Sequence, residues 1–119
     1  MRARGARLPP FSPLAGGWLT GKYKRGEEPP AGSRMGLRPE PYLSFREERI
    51  FDAVAGLEER AHERATTPAT LALAWLLEHP HVPAVVVGPR RPDQFRPALD
   101  ALELDLSPAE REQLTALFA

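Results

Sequence analysis

Residues 12–23 read SPLAGGWLTGKY. Three glycines in that run permit a backbone course that a Cβ would obstruct, so N–H groups can come close to a ligand. Lys22 closes the segment with a cation. Residues 88–94, GPRRPDQ, make a second combination of the same kind. Gly88 is followed by Arg90 and Arg91, and Pro92 is placed to open a helix. Backbone donors, a helix N-terminus and paired arginines suit an anion, phosphate above all. Two such loops on one face would bridge a phosphate-bearing ligand, while each loop alone is equally compatible with a plain turn.

The other chemistry-bearing residues are poorer candidates. Tyr23 adjoins Lys22, but neighbours on one loop rarely converge on one atom, so they are not expected to act as a catalytic pair. His62 falls near the end of an expected surface helix. His79 and His81 precede an expected strand and face the end opposite the two loops. None has a positioned partner for acid–base work, so all three read as structural or solvated. Tyr42, Glu27 and Glu28 read as solvated loop residues. Trp18 and Trp75 read as packing residues, with Trp18 alternatively flanking a substrate pocket. The sequence contains no cysteine, which excludes disulfides, iron–sulfur clusters and thiolate zinc sites.

These loops need elements to hold them. Residues 7–11 (RLPPF) read as a short buried strand, weakened by Pro9 and Pro10. Residues 24–44 are rich in Gly, Pro and charge and read as a long surface loop. Ile50, Val54, Leu57 and Ala61 recur at helical spacing, which predicts an amphipathic helix over 46–64. Thr67-Pro68 is a cap followed by a first-turn proline, and the apolar run after it predicts a helix buried on more than one side. VPAVVVG, residues 82–88, is β-branched without alternation and reads as a strand covered on both faces. A helix is expected from Pro92 to about Leu102, kinked or shortened by Pro97. Ser107 and Glu110 form a capping box with Pro108 at the first position of a last helix. Strands separated by helices give an α/β class, and two strands need further neighbours to make a stable sheet.

Composition sets the outer bounds. The chain has 119 residues, is 42% hydrophobic and 27% charged, and carries zero formal net charge. That is one small globular domain without the electrostatic field of a nucleic-acid binder. No apolar run reaches the roughly 20 residues of a membrane helix, and MRARGARLPPF lacks the apolar stretch of a secretory signal. A cytoplasmic protein is expected, with neither nucleic acid nor membrane as partner.

SPLAGGWLTGKY, PPAGSR, TPATLALAWLLEHP, VVVGPRRPDQF and LSPAEREQL resemble, in that order and spacing, the C-terminal part of an aldo-keto reductase. The resemblance runs from about Arg7 to Phe118. It implies part of a (β/α)8 barrel: the last two strand–helix units plus extra helices. Residues 1–6 would end the preceding helix, and 7–23 would be the seventh strand with its cofactor loop. Residues 24–45 would form the long loop, 46–106 the helices and final strand, and 107–119 the C-terminal helix. The implied cofactor is NADP(H), held in a partial site. Ser12, Pro13, Leu14, Ala15 and Gly16 would line its nicotinamide and pyrophosphate, and Lys22 and Arg34 would reach its phosphates. Gly88, Arg90, Arg91 and Gln94 would take the adenosine end, with Arg90 or Arg91 near the 2′-phosphate. Pro97 and Ala98 stand where the family carries a Glu-Asn pair that holds adenine. The family's Asp, Tyr, Lys and His tetrad lies in the first half of the barrel, ahead of the matched segment, so no catalytic residue is expected here. The family transfers hydride from NADPH to an aldehyde or ketone. A carbonyl substrate is therefore expected only for a full-length form, with a missing N-terminal barrel half or a second copy as partner. The alternative is a non-enzymatic binding or assembly module that oligomerises through open barrel edges.

Overall fold

Caps and apolar stripes set where the helices lie. The structure is a computed structural model and describes residues 12–88 and 91–119. Helix α1 is the short Arg34–Leu37, capped by Ser33, whose hydroxyl accepts from the Gly36 N–H. Helix α2, Glu48–Glu63, buries Ile50, Ala53, Val54, Leu57 and Ala61, one stripe at spacings of three and four. Helix α3 spans Pro68–Leu77. The Thr67 hydroxyl accepts from the Thr70 N–H at 3.2 Å and donates to the Thr70 hydroxyl at 2.9 Å. Ala69 through Ala74 are all buried, so α3 is enclosed around its circumference. Helix α4, Arg96–Glu103, packs on α3 from one side and α2 does so from another.

Helix α5, Pro108–Leu117, starts at the expected capping box. The Ser107 hydroxyl accepts from the Glu110 N–H at 3.1 Å, and the Glu110 carboxylate accepts from the Ser107 N–H at 3.3 Å. Arg64 ties the end of α2 to this cap by donating to the Asp105 carbonyl at 2.7 Å and pairing with Glu110 at 3.3 Å. Two apolar clusters result. One gathers Leu57, Ala61, Leu71, Leu73, Ala101, Leu106 and Leu114 around α3. The other gathers Trp18, Tyr23, Met35, Ile50 and Val54 where the loops meet α2.

Two expectations are corrected. Residues 82–88 are not a strand: among the described residues no segment offers them ladder hydrogen bonds, and a strand exists only with a neighbour to pair with. Their side chains nevertheless alternate. Val85 and Val87 pack on the α3 cluster and Val86 is 54% exposed, so one face is covered and the other bare. The segment opened by Pro92 is two elements, a 3₁₀ turn at Pro92–Phe95 and then α4. Pro97 sits in the first turn of α4, where its missing N–H costs no intrahelical bond, so it starts the second element and does not kink one long helix. The long loop carries more order than expected, namely α1 and a 3₁₀ turn at Glu40–Phe45. The strand expected at 7–11 and the helix end at 1–6 lie outside the described residues.

Leu71 is 1% exposed at the centre of the main cluster. Leu71→Ala is expected to cost about 2–5 kcal/mol, a large part of the roughly 5–15 kcal/mol that holds a typical domain. Urea unfolding measures it. A loss below about 1 kcal/mol would show that enclosure of α3 does not organise the fold.

Candidate anion-binding groove

The first loop takes an unusual backbone course. Gly16 and Gly17 have φ of 67° and 96°, and the non-glycine residues Ser12 and Ala15 have φ of 51° and 52°. A left-handed conformation at a residue with a Cβ costs about 1–2 kcal/mol, so surrounding contacts must hold it. Several do. Gly17 N–H donates to the Leu14 carbonyl at 3.0 Å, and the Thr20 hydroxyl donates to the Gly17 carbonyl at 2.7 Å. The Tyr23 hydroxyl donates to the Gly16 carbonyl at 2.8 Å. Tyr42 donates to the Ser12 hydroxyl at 3.2 Å, and its ring covers Gly16 so closely that a Cβ there would lie 2.5 Å from a ring carbon.

This loop borders a groove of about 660 Å³. Ser12, Pro13, Leu14 and Gly16 reach it from the first loop, Lys22 and Arg34 from the next segment, and Gly88, Arg91 and Gln94 from the last loop. Residues 76 positions apart are thus brought together (Ser12 to Gly88). Ala15 instead lines a separate apolar cavity of about 510 Å³ beside Trp18, Ile50, Trp75 and Phe118. Arg90 lies outside the described residues. Gly17, Thr20, Ser33, Tyr42 and Thr67 also line the groove and were not expected there. Pro97 and Ala98 line it too, which places apolar surface near Gln94.

The electrostatics are one-sided. Lys22, Arg34 and Arg91 line the groove, and among the described residues no carboxylate does. Several cations elsewhere are paired: Lys24 with Glu58 at 3.1 Å, Arg25 with Glu48 and Asp52 at 2.7 Å each, Arg96 with Asp100 at 2.9 Å. The hydrogen bond that Arg25 donates to Asp52, with Glu48 adding its charge, raises the Arg25 pKa above its ordinary value. Lys22 and Arg34 make no ion pair among the described residues, and Arg91 pairs with Asp93 only at an exposed 3.3 Å contact. Lys22 and Arg34, cations without an ion pair among the described residues, are suited to hold an anion.

Other expectations fare differently. Glu27, Glu28 and His62 are exposed. His79 accepts from the His81 N–H at 3.2 Å, a local backbone role. Trp18 is a packing residue, 2% exposed against Tyr23, Phe45 and Phe51. Tyr42 is not a solvated loop residue: it stacks at 5.9 Å from Phe45 and lies on Gly16. Its partners Ser12 and Gly16 are about thirty residues away, a separation at which no local spacing reports contact. Among the described residues no helix is long and apolar enough to cross a membrane, and no group of acidic or histidine side chains is arranged to hold a metal.

The sequence pattern of the Aldo/keto reductase family matches residues 1–119. A probable voltage-gated potassium channel subunit beta of Arabidopsis thaliana is 36% identical over 102 residues, covering 84% of this chain and 31% of that protein. L-glyceraldehyde 3-phosphate reductase of Escherichia coli K12 is 35% identical over 113 residues, covering 87% of this chain and 31% of its own length. Protein tas of the same organism is 34% identical over 103 residues, covering 87% and 29%. The chain therefore spans about a third of the length of these relatives. In fold it is similar to the glycerol dehydrogenase AKR11B4 from Gluconobacter oxydans, with a TM-score of 0.75 at 23% identity over 99% of this chain and 36% of that one.

The Tyr42 ring makes Gly16 costlier to replace than another left-handed glycine. Gly16→Ala and Gly26→Ala both introduce a Cβ at positive φ, but only the first meets a neighbour within 4 Å. Gly26→Ala is expected to cost about 1–2 kcal/mol and Gly16→Ala measurably more. Equal urea midpoints for the two variants would show that Tyr42 does not press on the loop.

Proposed function

The chain belongs to the aldo/keto reductase family, and on that premise we propose that it carries the phosphate-holding part of an NADP(H) site belonging to a carbonyl-reducing oxidoreductase. One observation carries the reading: a groove bordered by Lys22, Arg34 and Arg91, with no carboxylate among the described residues, in a chain of zero net charge. Lys22 and Arg34 neutralise the pyrophosphate, and the strained loop at Ser12–Gly17 offers its backbone to the same ligand. Arg91, with Arg90, reads the 2′-phosphate. Pro97 and Ala98 offer apolar contact at the adenosine end, without the carboxylate and amide that the resemblance leads one to expect there. NADPH, when bound, supplies the hydride that reduces an aldehyde or ketone. The resemblance puts the proton donor in the part of the barrel that precedes this segment.

The same reading supplies the partner. Leu99 and Leu102 on α4 are 49% and 71% exposed, and Val86 is 54% exposed. Three large apolar side chains left bare next to an unpaired extended segment fit a surface that the remaining barrel covers. A second copy of the chain is the other means of covering it.

Binding, turnover and association state test this. The chain is expected to bind NADPH more tightly than NADH, with an affinity that falls as salt rises. Replacing Arg90 and Arg91 together by Ala should bring the two affinities together, as followed by NADPH fluorescence. An unchanged ratio would show that the arginine pair does not read the 2′-phosphate. The isolated chain is expected to reduce no simple aldehyde, and turnover by pure protein would place the proton donor within it. In solution the bare faces predict self-association to a multiple of 13.2 kDa by light scattering. A monodisperse monomer would remove the partner reading.

A further inference from the structure

Tyr23 occupies a position that neither its neighbour Lys22 nor the apolar cluster accounts for. Its ring is 6% exposed and packs 4.9 Å from the Trp18 ring, so packing explains the aromatic. Packing does not explain the hydroxyl, which a phenylalanine would lack. That hydroxyl has two partners from different segments. It donates to the Gly16 carbonyl at 2.8 Å and accepts from the Met35 N–H at 3.2 Å. Gly16 lies in the strained loop that borders the groove, and Met35 follows Arg34 in α1. A Cβ on Gly17 would lie 3.2 Å from this hydroxyl and 3.2 Å from the Lys22 ammonium, so the second cation sits against the same short stretch.

We infer that Tyr23 is a positioning residue. Its hydroxyl bridges the left-handed loop to the first turn of α1, and so fixes the distance from the loop's backbone to Arg34. The Gly16 carbonyl, held inward by this bond, is turned away from an anion that it would repel. The Met35 N–H, bonded to the same oxygen, sets where α1 begins and hence where Arg34 projects. Phosphate recognition needs donors at set separations, because each cation can be neutralised by only one placement of the ligand. The inference rests on the groove being the phosphate site, and it assigns the registration of that site to a group that touches no ligand.

The test is a double-mutant cycle on the intact chain, with NADPH as the probe, at a temperature well below melting. Tyr23→Phe removes the hydroxyl and keeps the ring. If Tyr23 acts through Arg34, Tyr23→Phe weakens NADPH binding about tenfold in the unmodified chain and has little further effect in Arg34→Ala. The salt dependence of binding should fall by the same amount in Tyr23→Phe and Arg34→Ala, which a purely structural loss would not produce. Tyr42→Phe serves as a second variant. It also removes a phenol bonded to the loop but has no bond to α1, so its effect should add to that of Arg34→Ala. Additive losses for Tyr23→Phe and Arg34→Ala would overturn the inference, as would an unchanged salt dependence. If NADPH binds, and binds more weakly in Arg34→Ala but not in Tyr23→Phe, the groove reading stands and the inference fails. If the unmodified chain binds no NADPH, both fail. Should Tyr23→Phe melt too low for binding to be measured, the Met35 amide in the unmodified chain decides. Hydrogen exchange there as fast as in an unstructured peptide would overturn the bridge, and protection at that amide would support it.

Discussion

A helix that is apolar on every side has to be enclosed, and the fold is organised around that requirement. Six consecutive buried residues, Ala69–Ala74, leave α3 no face to give to water. Helices α2 and α4 cover it, and Arg64 locks the far end of α2 to the cap of α5. The groove follows from this arrangement. Thr67, Ala69 and Leu73 supply its floor from α3 and the turn before it, so the loops converge where the enclosed helix begins. The glycine in the middle of α2 fits the same logic: a Cβ on Gly56 would lie 2.6 Å from Leu117, so α5 approaches where a side chain is missing.

What was legible in the sequence was local. Thr67-Pro68, the Ser107–Glu110 box and the stripe from Ile50 to Ala61 each encode their structure within a few residues, and each element stands where those signals put it. The run at 82–88 was misread for a physical reason. β-branched residues describe a preference for extended backbone, but a ladder is a property of two segments, and no described segment lies alongside. The site was legible in part. Glycine and cation content marked the two loops, and their convergence on one groove followed from treating both as lying on one face. The phenols were not legible. Tyr23 and Tyr42 act across gaps of 7 to 30 residues, on backbone or hydroxyl groups that leave no residue-type signature at the far end.

Net charge also concealed what mattered. Equal numbers of acidic and basic residues sum to zero, yet their distribution is uneven. On α2 and its neighbours, cations meet carboxylates at 2.7–3.1 Å. In the groove Lys22 and Arg34 meet none among the described residues and Arg91 meets only the exposed Asp93 at 3.3 Å, and like charges there repel one another until something neutralises them. The groove thus bears two unfavourable terms, Lys22 and Arg34 without an ion pair among the described residues and a left-handed Ser12, both of the kind that a bound anion and its backbone contacts would relieve.

The core around α3 is built from this chain's own side chains, while the bare residues of α4 look outward. Side chains of the two regions can therefore change independently. Changes in the core answer only to one another, and changes at Leu99 or Leu102 leave the core packing as it is. The groove is floored by Thr67, Ala69 and Leu73, so it inherits the constraints of the core and not the freedom of the bare face of α4.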